Sequence, residues 1–206
     1  MKHIEQELVR GWLHEPEGTW NKALAITHGA GSNCEAPLLK AIAEAFSGVG
    51  IAVLRLDLPY RQERPRGSPF PAQAARDREG LRRAVSALRE LGAGTVFLGG
   101  QSYGGRQATM LAAEEPGLVE ALLLLSYPLH PPGKPGQART AHFPNLRTPA
   151  LFAHGTRDPF GTIEEMSEAI RAIPARTELL VVDGGRHGLP PNVTPLILSS
   201  VREFLR

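Results

Sequence analysis

Apolar positions along this chain fall into two alternating rhythms. Short, nearly unbroken runs predict strands buried on both faces: 23–26, 51–58, 95–98, 118–126, 149–153 and 178–182. Between them apolar residues return every three or four positions, which predicts helices. These carry Leu38, Leu39, Ile42 and Phe46, then Leu81, Ala84, Val85, Leu88 and Leu91, then Met110, Leu111 and Ala112. Two more follow, one through Ile163, Met166, Ile170 and Ile173, the other through Leu196, Ile197, Val201, Phe204 and Leu205. Thr162 and Glu165 have the spacing of a capping box for the first of these two. Residues 4–14 alternate loosely, as an edge strand or hairpin does, with Pro16-Glu17-Gly18 as a turn after it. Residues 59–71, rich in Pro and Arg, and residues 127–148, with prolines at 128, 131, 132, 135 and 144, read as irregular segments. Strands alternating with helices predict an α/β fold, one domain over 1–206, whose mostly parallel sheet has helices on both faces. Ligand sites in such sheets gather at the carboxyl ends of the strands.

The chemistry-bearing residues sit at those ends. Thr95-Val96-Phe97-Leu98 leads into Gly99-Gly100-Gln101-Ser102-Tyr103-Gly104-Gly105-Arg106, and a helix leads out. Gly100, Ser102 and Gly104 match G-x-S-x-G, the strand–turn–helix elbow that lifts a nucleophilic serine above a sheet. Glycines are needed because the reversal crowds both sides of the apex. A serine hydroxyl is a poor nucleophile at neutral pH, so it needs a base, and the base needs a group that fixes its tautomer. Of seven histidines, only His187 follows the last strand, in a glycine-flanked loop. It is the expected base. Asp158, in the Asp-Pro turn after the preceding strand, is the favoured acid, and Asp183 competes with it from only four residues before His187. A tetrahedral intermediate also needs two N–H donors. Tyr103, directly after the serine, supplies one, and the His28-Gly29-Ala30-Gly31 turn supplies the other, through Ala30. His28 itself reads as a buttress of that turn.

Strand–His-Gly-x-Gly, Gly100-x-Ser102-x-Gly104, Asp158 and His187, in this order, resemble the α/β-hydrolase superfamily from about residue 20 to the end. The chain is similar to the small dienelactone-hydrolase-like branch, which implies an α/β-hydrolase fold without a large cap domain. True dienelactone hydrolases use a cysteine nucleophile, whereas the apex here is Ser102, a departure that argues against lactone-diene chemistry. Ser126-Tyr127-Pro128-Leu129-His130 is similar to a run in a sub-branch related to a chromatin-acetyltransferase complex subunit.

Composition narrows the function classes. The net charge is +2, from 23 basic and 21 acidic residues spread along the chain, which is no nucleic-acid footprint. No apolar run has the length to span a membrane, and no signal peptide opens the chain, so a cytoplasmic protein is expected. Cys34, the single cysteine, excludes an intrachain disulfide and reads as a bystander. No histidine or cysteine pair has metal-ligand spacing, and no cofactor is implied. The expected activity is a serine carboxylesterase acting on a small or soluble ester, as a monomer or homodimer. A thioesterase, peptidase or acyltransferase would use the same residues, and a non-catalytic scaffold would keep only the fold. Tyr60, Phe70, Tyr103, Tyr127 and Phe160 are candidate pocket walls. Arg61, Arg64 and Arg66 read as a solvated loop, and Arg106 and Arg157 as locks on backbone carbonyls.

Overall fold

Each apolar run becomes a strand because its β-branched and leucine side chains find a helix layer on either side. In the computed structural model, which describes all 206 residues, the loosely alternating segment gives β1 (Lys2–Gln6) and β2 (Val9–His14), and the six runs after it give β3 (Lys22–Thr27), β4 (Ile51–Asp57), β5 (Thr95–Gln101), β6 (Leu122–Leu125), β7 (Ala150–Gly155) and β8 (Thr177–Val182). The helices are α1 (Pro37–Ser47), α2 (Pro59–Glu63), α3 (Ala74–Glu90), α4 (Tyr103–Glu114), α5 (Ile163–Ile170) and α6 (Thr194–Phe204). One sheet runs in the order β1-β2-β4-β3-β5-β6-β7-β8. All neighbours from β4 to β8 are parallel, and the β1–β2 hairpin is added antiparallel at one edge.

The period of two sorts side chains between two cores. On β3, Ala23 and Ala25 face one helix layer while Leu24 and Ile26 face the other. The first core is closed by α3, α4 and α5, through Leu81, Leu88, Leu111, Met166 and Ile170. The second is closed by α1 and α6, through Leu39, Ile42, Phe46, Ile197 and Val201. The chain proceeds from β3 outward to β4, then returns to place β5 on the other side of β3. That reversal opens a crevice at the carboxyl ends of β3 and β5, where sites form in this architecture.

Three expectations are corrected. The Leu118 run becomes regular strand only at Leu122, because Pro116-Gly117 and the three residues after it are spent on a turn. The Pro59–Pro71 segment opens with the short helix α2, for which Pro59 at the first position has its backbone angle preset. Ile173 lies beyond α5, although the Thr162–Glu165 capping box that starts this helix is present with both of its bonds. The segment 127–148 holds only a single 3-10 turn at Phe143–Asn145, so no large cap covers the sheet ends. No helix is long and apolar enough to cross a membrane.

Candidate active site

Ser102 sits between the last residue of β5 and the first of α4, at φ 50° and ψ −115°. A non-glycine residue in that region is strained, and the surrounding contacts must hold it there. Gly104 shows how tightly the elbow is pressed home: a Cβ there would lie 2.6 Å from the His28 carbonyl oxygen and from Thr27 Cγ2. The elbow therefore packs directly on the end of β3. The first N–H groups of α4 surround the serine, and helix geometry leaves them without intrahelical acceptors.

His187 reaches this point from the loop after β8. Its Nε2 lies 2.8 Å from Ser102 Oγ, and its Nδ1 lies 2.8 Å from Asp158 Oδ2 and 3.0 Å from Oδ1. Asp158 has a fully buried side chain, and its Oδ1 also accepts the Phe160 N–H at 2.9 Å. The Phe160 ring stacks on His187 with centroids 4.0 Å apart. The loops carrying the acid and the imidazole are bound to each other: Arg157 N–H donates to the Gly185 carbonyl at 2.8 Å. At Gly155 any side chain would overlap that same carbonyl, so the close approach requires glycine. Asp183 points elsewhere. It is exposed and accepts from Thr156 Oγ1 at 3.4 Å, with no bond to His187.

The structure brings Ala30 and Tyr103 to the same cleft as Ser102 and His187. Ala30 N–H has no acceptor in the backbone network, and Tyr103 is the first residue of α4. The Ala30 carbonyl, by contrast, is fixed from below by Tyr60 Oη (2.9 Å) and Arg61 Nη2 (3.0 Å). Arg61 is buried and also holds the carbonyls of Ser32, Arg64 and Gly67, which corrects its reading as a solvated arginine. His28 buttresses the turn as expected: Nδ1 bonds the Gly29 carbonyl at 2.9 Å and Nε2 accepts the Leu58 N–H. Burial holds its pKa below the ordinary histidine value, consistent with a neutral ring.

Sequence reasoning missed Asp77. From the first turn of α3 its fully buried carboxylate accepts Tyr103 Oη–H at 2.7 Å and the Tyr60 N–H at 3.0 Å. Burial raises its pKa. Asp77 thus ties together the residue after the serine and the tyrosine under Ala30. Its only signal in the sequence was an acidic residue on a helix one turn before the apolar stripe, which ordinarily faces solvent.

Other expectations divide. Phe160 and Tyr103 wall the cleft. Tyr60 and Tyr127 are buried beneath it, and Phe70 is exposed under the Arg64 guanidinium. Arg157 acts through its backbone, not its exposed side chain. Arg106 donates to no carbonyl; its Nε is buried and unpartnered. Cys34 lies outside the cleft, and burial pushes its thiol pKa up to about 12, so it is no nucleophile at neutral pH.

A mostly parallel sheet, a strained serine at a strand-to-helix elbow and an imidazole between that serine and a buried carboxylate define a hydrolase of the α/β class. The family model described as "Alpha/beta hydrolase domain" matches residues 21–195, and the chain belongs to that family. Among solved structures, TT1662 from Thermus thermophilus is 22% identical with a TM-score of 0.79, covering 100% of this chain and 97% of its own. Est1E from Butyrivibrio proteoclasticus is 17% identical with a TM-score of 0.77, covering 99% and 98%. A dienelactone hydrolase from Anabaena variabilis is 22% identical with a TM-score of 0.73, covering 96% and 91%. At these identities the likeness establishes a shared fold.

Proposed function

We propose that this chain is a serine carboxylesterase that cleaves small, soluble esters through an acyl-enzyme. The observation that carries the reading is the imidazole of His187, 2.8 Å from Ser102 Oγ on one side and 2.8 Å from the Asp158 carboxylate on the other. With Nδ1–H donated to Asp158, Nε2 is the free acceptor for the serine proton. Ser102 Oγ attacks the ester carbonyl carbon as its proton passes to Nε2, and Asp158 stabilises the imidazolium. The carbonyl oxygen, now an oxyanion, accepts the N–H groups of Tyr103 and Ala30, each worth about 3 kcal/mol in the transition state. Collapse expels the alcohol, which takes the proton back from Nε2. Water then repeats the sequence on the acyl-enzyme and releases the acid.

Substrate size follows from the cleft, which holds about 470 Å³ and opens to solvent. That space suits a compact acyl group more than a long lipid chain. A fluorophosphonate probe should label wild-type protein and leave Ser102→Ala unlabelled, and p-nitrophenyl esters of short acyl chains should be hydrolysed only by the former. Equal labelling of both places the reactive group elsewhere than Ser102, and no labelling of either leaves a scaffold with the fold alone; each overturns the reading.

A further inference from the structure

Two arginines line the cleft of the nucleophile, and no carboxylate lines it with them. Arg106 lies in the first turn of α4, its backbone N–H bonded to the Ser102 carbonyl at 2.9 Å. Arg139 comes from the irregular segment after β6. Its backbone is pinned there, its N–H bonded to the Leu129 carbonyl and its own carbonyl accepting Tyr127 Oη–H at 2.7 Å. Both arginines are half-buried and line the same cleft as Ser102 and His187, and no Asp or Glu lines it with them. Neither arginine forms an ion pair. Arg139 makes one long bond, Nη1 to the Pro128 carbonyl at 3.5 Å, and the Arg106 guanidinium makes none, its Nε being buried.

This arrangement is electrostatically costly in three ways. A cation in the first turn of a helix opposes the helix dipole. Two like charges share a partly desolvated space, and burial together with the Arg106 charge pulls the Arg139 pKa down. A buried guanidinium N–H without an acceptor forfeits its hydration. An oxygen anion in the cleft relieves both charge costs at once, and the planar guanidinium fork is suited to carboxylate or phosphate oxygens.

We propose that Arg106 and Arg139 form an anion subsite beside Ser102, and that the substrate is an ester carrying a carboxylate or phosphate group. The inference rests on the cleft being the hydrolase's substrate site and assigns the substrate class to it. Arg106 and Arg139 are specificity-determining residues. They hold the charged end of the molecule and thereby present the ester carbonyl to Ser102 and to the N–H groups of Tyr103 and Ala30.

Binding is measured in Ser102→Ala protein, which cannot turn ester over, by calorimetry at low salt. The probes are monomethyl glutarate, methyl phosphate and the neutral ester methyl valerate. At least one anionic probe is expected to bind tenfold or more tighter than methyl valerate. Adding Arg106→Met or Arg139→Met should remove at least tenfold of that preference, and adding the exposed Arg157→Met should leave it in place. Two variants from separate elements guard against one that fails to fold. Tighter monomethyl glutarate assigns the subsite to carboxylate, and tighter methyl phosphate assigns it to phosphate. No preference for either anion, or a preference that survives both substitutions, overturns the proposal. Because the readout is binding, it stands apart from fluorophosphonate labelling. An unreactive serine with Arg106-dependent anion binding would sink the esterase reading alone.

Discussion

Replacing Asp158 by Asn tests the proposed chemistry at its least visible member. The buried carboxylate has two duties: Oδ1 accepts the Phe160 N–H at 2.9 Å, and Oδ2 faces His187 Nδ1 at 2.8 Å. In Asn only one oxygen remains. Keeping the Phe160 bond places that oxygen at the Oδ1 position, which turns the NH2 group toward His187. Nδ1 must then become an acceptor, and the ring proton moves to Nε2, 2.8 Å from Ser102 Oγ. An Nε2–H cannot take the serine proton. The shape of the site is kept while the tautomer is wrong, which costs about 10³–10⁴ in kcat, or about 4–5.5 kcal/mol. Steady-state hydrolysis of p-nitrophenyl acetate by both proteins, at matched melting temperatures, reads this directly. Asp183→Asn, on an exposed carboxylate with no bond to His187, should stay within about threefold of wild type. An Asp158→Asn enzyme within tenfold of wild type would refute the reasoning. So would an Asp183→Asn enzyme with the larger loss.

Two further outcomes concern stability. Tyr103→Phe removes the hydroxyl that donates to Asp77 at 2.7 Å and leaves a buried carboxylate oxygen without that partner. The loss should be about 1–3 kcal/mol, seen as a Tm lower by several degrees, and an unchanged Tm would mean that Asp77 is satisfied without it. His142 is partly buried, with its Nε2 2.8 Å from Thr109 Oγ1, and burial lowers its pKa from 6.5 to about 4. The unfolded chain therefore binds its proton first, so stability is full above pH 6.5 and falls as pH drops toward 4. Discounted for partial exposure, this amounts to about 1–2 kcal/mol. In His142→Asn the Tm difference between pH 7 and pH 4.5 should shrink, and an equal or larger difference would contradict the assignment.

The strands and most of the helices were legible because burial on both faces writes itself as unbroken apolar runs, and a helix face as a three-to-four repeat. The meeting of Ser102, Asp158 and His187 was legible for another reason. Parallel strands put their ends at one rim, so chain order alone predicts convergence. What the pattern could not show was the support beneath that rim. Asp77 and Arg61 look like surface residues in one dimension, since a charge on a helix or in a Pro-rich loop ordinarily faces water. Only the packing of α2 and α3 against the turn at Ala30 buries them. Arg106 and Arg139 are 33 positions apart, and no local rhythm links them. Their pairing appears only when the segment after β6 folds back over α4.

Cys34 offers an unplanned instrument. It is the only sulfhydryl in the chain, it is shielded from solvent, and its amide is bonded to Asp57 at 2.7 Å next to the end of β4. A maleimide can reach it only when the connection between β3 and α1 that carries it opens. The rate of modification against denaturant concentration therefore measures the opening free energy of that region in the intact enzyme, with no engineered label.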